Sequence, residues 1–458
     1  LHAAFPKFGL VWLAPLALAG LFALWGELTP RAALLAGYAA GLIFFALDFA
    51  WFGETAGKLL GPFAFVLDVG PAVVEALAFA LTALVVSVAA RRCPPWLAVL
   101  AGAATFTAAE WARSSGPLGV PMYQIGAPLI ETPLVPLAAV GGVYLLTFAC
   151  ALFGAALASL LREGTWRQAA VYGAAIVAAT ALAWLTWPAR TSAPGPTITV
   201  AAVQGNITQD LKWTPAALDL AVTRYTTMTE ALRPAHPRFV LWPETVITTD
   251  IAANPALQAR FAALAREVGT TLAAGSITTI GGDRNVLAFY IPAAGVQSAV
   301  AYYAKRQLVP FAEFLPGPAW LRSLPFAGLA SDYIRGTGDP VIRISGLAVA
   351  PLICWESAFG DVAQSDAAGG AQFYAVATDD AWFGTSDGPY AHAQLTTVRA
   401  VETGRWIVRA AATGISGIVG PDGRWRERTA LETQTSVVGT VGPPQPGLYA
   451  RLGPLPVA

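Results

Sequence analysis

The chain has 458 residues, of which 55% are hydrophobic and only 12% charged, with a mean hydropathy of +0.55. Soluble domains carry about 25% charged residues, so an ordinary soluble enzyme is excluded, and so is a disordered chain, which needs low hydrophobicity and high net charge. Lys plus Arg and Asp plus Glu are equal at 28 each, so no net charge favours nucleic acid, and three cysteines are too few for a disulfide scaffold.

The average hides a division: residues 1–190 hold 17 charged side chains and residues 191–458 hold 39. A membrane-crossing helix needs about 20 mostly apolar residues. Six stretches qualify in the first part: 8–26, 32–51, 71–90, 95–112, 138–161 and 168–188. Ala, Gly and Leu dominate them, as in helices that pack closely in lipid. Asp48, Glu75 and Glu110 lie in or near these spans; intramembrane carboxylates can be functional, or pair locally, as Glu110 can with Arg113 one turn on. The first, third and fifth connections carry Arg31, Arg91 with Arg92, and Arg162 with Arg167, against Lys58 and Arg113 in the others. The positive-inside bias therefore puts the odd connections in the cytoplasm and the segment after about residue 190 outside, in the periplasm of a two-membrane bacterium. The chain begins at Leu1 without a signal peptide and stops after Ala458 without an apolar span. We therefore expect one further span on each side in the full gene.

Residues 188–197 are rich in Pro and small polar residues and read as a linker. Beyond them, strands and helices alternate. Strands are expected at Thr197–Ile207, Phe239–Trp242, Thr271–Thr279, Val286–Ile291, Ile344–Ile353, Phe373–Thr378, Ile407–Ala411 and Ser436–Val441. Helices are expected at Ala216–Leu232, with Thr214 as N-cap and Pro215 at its first position, at Pro255–Val268 and at Tyr390–Thr403. That mixture predicts a layered α/β domain. The domain plan is a transmembrane domain 1–190, a linker 191–196, an external domain 197–443 and a C-terminal tail 444–458.

Cys354 is the only cysteine of the external part. It is either a buried inert thiol or a nucleophile, and its place after the apolar run Leu347–Ile353 favours the second. At a strand-to-helix turn, N–H groups lower a thiol pKa and stabilise an oxyanion. His392 is the only histidine beyond the linker apart from His236, and its place on an expected helix suits a structural role. Glu244, after the buried strand in Val240-Leu-Trp-Pro-Glu244, is either a surface carboxylate or a general base whose pKa desolvation raises. The chain has only four lysines: Lys7, Lys58, Lys212 and Lys305. Lys305, in a strand-like segment, is suited to lowering the thiol pKa and neutralising an oxyanion.

Trp242-Pro-Glu244, Lys305-Arg-x-Leu-Val-Pro-Phe-x-Glu313 and Leu352-Ile-Cys-Trp-Glu356 resemble the Glu-Lys-Cys set of the nitrilase (carbon-nitrogen hydrolase) superfamily. Asp380-Ala-Trp-Phe-Gly384, Gly388-Pro-Tyr, Arg399-Ala-x-Glu-x-Gly-Arg405 and Thr413-Gly-Ile-Ser416, together with the membrane block, resemble the bacterial apolipoprotein N-acyltransferases over almost the whole chain. The resemblance implies a polytopic α-helical membrane domain plus an α/β nitrilase-like αββα sandwich domain. It implies transfer of an acyl chain from a phospholipid, phosphatidylethanolamine, to the α-amine of the diacylglyceryl-cysteine of an apolipoprotein, by a ping-pong route through a Cys thioester. Carried over, Cys354 is the nucleophile, Glu244 the base and Lys305 the stabiliser of the tetrahedral intermediate. Glu313 and Glu356 support them, and Trp213, Trp355 and Trp382 match lipid-binding positions. The resemblance calls for no metal, cofactor or nucleic acid, and implies a monomer in the bacterial inner membrane with its catalytic domain in the periplasm. The sequence departs from the pattern at Asp379, where Asn usually stands, and at Ala304, Ala312 and Ala412; the family has eight spans and six are found here. The apolar stretch Phe314–Ala330 reads as a lid dipping toward lipid, or else as a core-packing loop. The rivals are a membrane-anchored nitrilase-type amidase, which would use the same triad without needing the lid, and a non-catalytic lipoprotein-binding derivative, which would not need the triad.

Overall fold

The computed structural model describes residues 1–51, 64–187, 195–323 and 331–452. Lys58, most of the linker, the end of the lid stretch from 324 to 330 and the last six residues lie outside them. The chain divides into two compact units, residues 1–188 with 386–398, and residues 189–385 with 399–458. The segment 386–398, which the sequence reading put in the external domain, thus groups with the first unit.

Among the described residues, that first unit holds six long helices before residue 188: Leu13–Glu27, Pro30–Asp48, Ala64–Arg92, Pro95–Arg113, Ala138–Glu163 and Trp166–Trp184. Prolines at the first turn start two of them, where no helical N–H is lost, and the Thr29 hydroxyl accepts from Ala32 N at Pro30–Asp48. Gly164, in the left-handed conformation, ends Ala138–Glu163. Pro30–Asp48, Val69–Arg92 and Val135–Glu163 are long and apolar enough to cross a membrane; Leu13–Glu27 is apolar but shorter. The helices meet through small residues: a Cβ added to Gly41 would lie 2.9 Å from Ala76 Cα, so only glycine allows this approach. The carboxylates near the spans are paired. Arg113 donates to Glu75 (3.1 Å), Glu110 (3.4 Å) and the carbonyls of Val120, Met122 and Tyr123, which pins the turn after its helix. Asp48 pairs with His2 at 2.5 Å. Glu110 with Arg113 is the local pairing that the spacing left open; Glu75 with Arg113 and Asp48 with His2 join residues far apart in the chain.

The second unit contains two sheets. A seven-stranded sheet runs β13-β1-β2-β4-β5-β6, with β3 also paired to β4; a six-stranded sheet runs β12-β11-β10-β9-β8-β7. The strands are β1 Ile198–Gln204, β2 Phe239–Leu241, β3 Ile247–Asp250, β4 Thr271–Thr278, β5 Arg284–Tyr290, β6 Ala301–Ala304, β7 Ile342–Ile344, β8 Leu347–Ile353, β9 Phe373–Thr378, β10 Trp406–Ala411, β11 Gly417–Val419, β12 Trp425–Arg428 and β13 Thr435–Val441. Alternation along the strands sorts their side chains. Val200, Ala202, Phe239 and Leu241 pack with Val349, Ile353, Phe373 and Ala375 between the sheets. Ala201, Val203 and Val240 face Val222, Tyr225 and Phe261 of the helices Pro215–Glu230 and Pro255–Val268. Leu352, Tyr374 and Val376 face Ala363 of Gly360–Ala368 and Ala400 of Gly388–Thr403. The result is helix, sheet, sheet, helix, the αββα sandwich. The expected strand Ile344–Ile353 is two strands: Ser345 and Gly346 both take positive φ and turn β7 back antiparallel on β8. The short strands β3, β11 and β12 lack a run long enough to show an alternating pattern.

Candidate active site

Glu244 follows β2 at a turn in which Thr245 takes φ +47. The strand is fully buried, and the Trp242 indole donates to Thr229 Oγ1 at 2.9 Å, anchoring the turn. On β4, a Cβ at Gly275 would come within 2.7 Å of Glu244 Cα; the absent side chain lets the turn settle against the sheet. The Glu244 carboxylate is buried and fully engaged. Its Oε1 accepts from Lys305 Nζ at 3.0 Å and Asn285 Nδ2 at 2.7 Å, and its Oε2 accepts from Asp379 N at 2.9 Å. Burial raises its pKa, but the Lys305 and Lys212 ammonium groups outweigh burial and leave it below its ordinary value of 4.5. The sequence reading, from desolvation alone, expected the opposite sign; two buried cations were not visible in the local pattern.

Lys305 stands directly after β6 and is 1% exposed. Its Nζ donates to Glu244 Oε1 and, at 2.8 Å, to Glu313 Oε1. Burial lowers its pKa, but Glu244, Glu313 and Cys354 raise it well above the usual range, so it is a permanent cation. Glu313 is fixed in turn by Val309 N (2.8 Å) and Asn285 Nδ2 (3.2 Å).

Cys354 opens a short 3₁₀ turn, Cys354–Ala358, directly after β8, with φ +50. A non-glycine residue in that region is strained, a feature that clusters at functional sites. Burial and the Glu244 charge raise the thiol pKa well above 9.0; Lys305 and a hydrogen bond with Thr378 lower it without prevailing. The resting thiol is therefore protonated, which corrects the expectation that helix N–H groups and Lys305 would depress it. Glu356 does not reach the lysine ammonium through a hydrogen bond. It accepts from Ile353 N (2.7 Å), Arg306 N (2.6 Å), Gln307 N (3.1 Å) and Tyr303 Oη (3.0 Å). It therefore ties the backbone after Lys305 to the backbone before Cys354.

The structure thus gathers Glu244, Lys305, Glu313 and Cys354 from four separate stretches of chain, with Glu356 bracing two of them. Trp213 and Trp382 are exposed, while Trp355 is buried against Phe359. In the lid stretch, Trp320 is exposed. His392 is buried in Gly388–Thr403, within the part that groups with residues 1–188. Sequence reading missed Asn285, which bridges the two carboxylates, and Lys212, which pairs with Asp379 at 2.5 Å. A signal existed for Lys212: in a chain with four lysines its rarity equals that of Lys305.

Two family models match the sequence: apolipoprotein N-acyltransferase N-terminal domain over residues 1–156, and carbon-nitrogen hydrolase over residues 199–442. An apolipoprotein N-acyltransferase of Azotobacter vinelandii is 36% identical, over 97% of this chain and 88% of its own length. That of Chromobacterium violaceum is 33% identical, over 99% and 88%. Among solved structures, an amidase of the nitrilase superfamily from Nesterenkonia AN1 aligns with TM-score 0.42 at 18% identity, over 56% of this chain and 94% of that one. A nitrilase-superfamily member from Saccharomyces cerevisiae aligns with TM-score 0.42 at 16% identity, over 57% and 95%.

Proposed function

The chain belongs to the apolipoprotein N-acyltransferase family, and from that premise we propose that it acylates lipoprotein N-termini with a chain taken from phosphatidylethanolamine and carried on Cys354. It is an acyltransferase and a bacterial membrane protein whose acceptor is a lipoprotein. The donor, the thioester, the residue roles and the side of the membrane are our reading.

One observation carries that reading: the buried Glu244 carboxylate is held by Lys305 within electrostatic range of a strained, protonated Cys354 thiol. Glu244 takes the thiol proton as sulfur attacks the ester carbonyl. The oxyanion forms beside the Lys305 ammonium, which stays charged throughout. Collapse breaks the ester C–O bond, and the proton on Glu244 passes to the leaving lysophospholipid oxygen, leaving a thioester. The lipoprotein α-amine then attacks, Glu244 takes its proton, the C–S bond breaks, and that proton returns to sulfur as the amide forms. A high thiol pKa fits an enzyme facing an oxidising compartment: the thiolate is the form that oxidises, and the raised pKa keeps it scarce at neutral pH.

The test is mass spectrometry of the purified full chain after incubation with phosphatidylethanolamine, then after addition of a diacylated lipopeptide. We expect an acyl adduct on Cys354 that is lost as N-acyl product appears, and no adduct in Cys354→Ala. A folded protein that forms no adduct would overturn the thioester route.

A further inference from the structure

Behind Glu244 lies a second buried ion pair that the proposed chemistry does not use. Lys212 Nζ sits 2.5 Å from Asp379 Oδ2, and the two side chains are 6% and 5% exposed. The same ammonium donates to the main-chain carbonyl of Glu244 at 3.4 Å. Asp379 N donates to Glu244 Oε2 at 2.9 Å, while Asp379 Oδ1 accepts from Ala381 N and holds that turn in shape. Glu244 is therefore gripped twice by one pair, at its backbone and at its carboxylate. Lys212 ends the short helix Gln209–Lys212 and lines a small, mostly apolar cavity with Ile207, Ala217, Ala221, Val246 and Ala412.

A buried ion pair is weak evidence for stability, because desolvation offsets most of its Coulombic gain. Its value is better sought in what it orients. We propose that Lys212 and Asp379 form a positioning pair that fixes Glu244 at both ends and balances the charge around it. The inference rests on Glu244 being the base. It also gives Asp379 a reason to carry charge where the resembling family carries Asn: the carboxylate is neutralised by Lys212.

The groups that act on Glu244 are few. Lys305 and Lys212 favour its ionised form, Asn285 donates to it, and Glu313 shares Lys305 with it. Cys354, Asp379 and Tyr333 each feel its charge. Lys212→Met removes a cation and leaves the Asp379 anion uncompensated, so the Glu244 pKa must rise. Protonated Glu244 cannot accept the thiol proton, so the acid limb of the acylation rate moves to higher pH. Lys212→Met with Asp379→Asn removes both charges, and the limb moves back. Asp379→Asn alone removes an anion and moves it to lower pH.

The experiment is single-turnover formation of acyl-Cys354 from phosphatidylethanolamine micelles by the purified full chain, from about pH 2.5 to about pH 9, with thermal melting as a check of folding. Lys212→Met is expected to shift the acid limb up by about one unit or more, a loss of about tenfold on the acid side. The double variant should return the limb toward that of the parent protein, and Lys212→Arg should leave it near its starting place. A folded Lys212→Met protein whose limb does not move overturns the proposal and leaves the pair merely structural. If Lys212→Met does not fold, Asp379→Asn decides: a downward shift supports the pair, an unmoved limb overturns it. Glu244→Gln separates the two levels. If that variant acylates at the parent rate, the base assignment itself has failed; if it is inactive while no Lys212 or Asp379 variant moves the limb, only the positioning pair has failed.

Discussion

Asn285 donates to Glu244 Oε1 and Glu313 Oε1 from a single amide nitrogen, so two like charges share one neutral clamp. Asn285→Ala leaves the Oε1 atoms of both carboxylates to Lys305, while Asp379 N and Val309 N still hold their Oε2 atoms. Hydrogen bonds to charged groups are worth about 1.5–3 kcal/mol, and the expected outcome is a loss of about 10- to 100-fold in the acylation rate. The apparent KM for the proposed phospholipid donor should change little, because Asn285 holds the proposed base. The thiol offers a second prediction. Burial and Glu244 hold the Cys354 pKa above its ordinary value, so the thiol is protonated below that raised value and thiolate appears only as pH climbs through it. Iodoacetamide should therefore alkylate Cys354 slowly at neutral pH, with the rate still rising beyond pH 9, as peptide mass mapping would show. A plateau below that pH would contradict the raised value.

Lys305, Cys354 and Asp379 each stand immediately after a strand, β6, β8 and β9, and Glu244 stands three residues after β2. That placement was legible in the sequence for Glu244 and Cys354, because apolar runs ending in a carboxylate or a thiol stand out in a chain with so few polar residues. The sandwich was legible too, since buried strands such as Phe373–Thr378 alternate with amphipathic helices such as Pro255–Val268. Lys305 was picked out by its rarity, its strand-like surroundings and the motif that runs on to Glu313, although its strand is only four residues long. The signs of the Glu244 and Cys354 pKa shifts were not legible: each depends on charges brought in from elsewhere along the chain, Lys212 and Lys305 for Glu244, and Glu244 and Lys305 for Cys354. Asn285 was invisible too, being one amide near the start of a strand whose partners Glu244 and Glu313 lie elsewhere in the chain. The packing of β4 under the Glu244 turn gives a test at this scale. Gly275→Val would drive a side chain into the Pro243–Glu244 backbone, and the expected result is a folded sandwich by circular dichroism with acylation reduced more than tenfold, since small displacements of a catalytic group are costly.

Over the whole molecule, the first unit carries its own record of membrane placement. At one end of its helices Arg162 pairs with Glu27, and Arg91 donates to the Glu27 and Leu28 carbonyls. Exposed tryptophans mark helix ends: Trp96 and Trp166 begin two helices, while Trp12, Trp111 and Trp184 lie at opposite ends, as aromatic belts do. The proposed topology, with the arginine-rich connections inside, would have Cys93, between Arg92 and Pro94, face the cytoplasm. A membrane-impermeant maleimide should therefore leave Cys93 unlabelled in intact spheroplasts and label it after permeabilisation. Labelling in intact cells would invert the proposed topology. The first unit includes residues 386–398, whose Asp387 pairs with Lys7 at 2.9 Å and whose Val398 packs with Ala127 and Val143. A nascent chain leaves the ribosome from its N-terminus, so the helical bundle waits, one piece short, while about two hundred further residues are translated. Quality-control proteases should therefore clear chains stalled before residue 386 faster than chains stalled after residue 398, a difference that pulse-chase of arrested translation products would reveal.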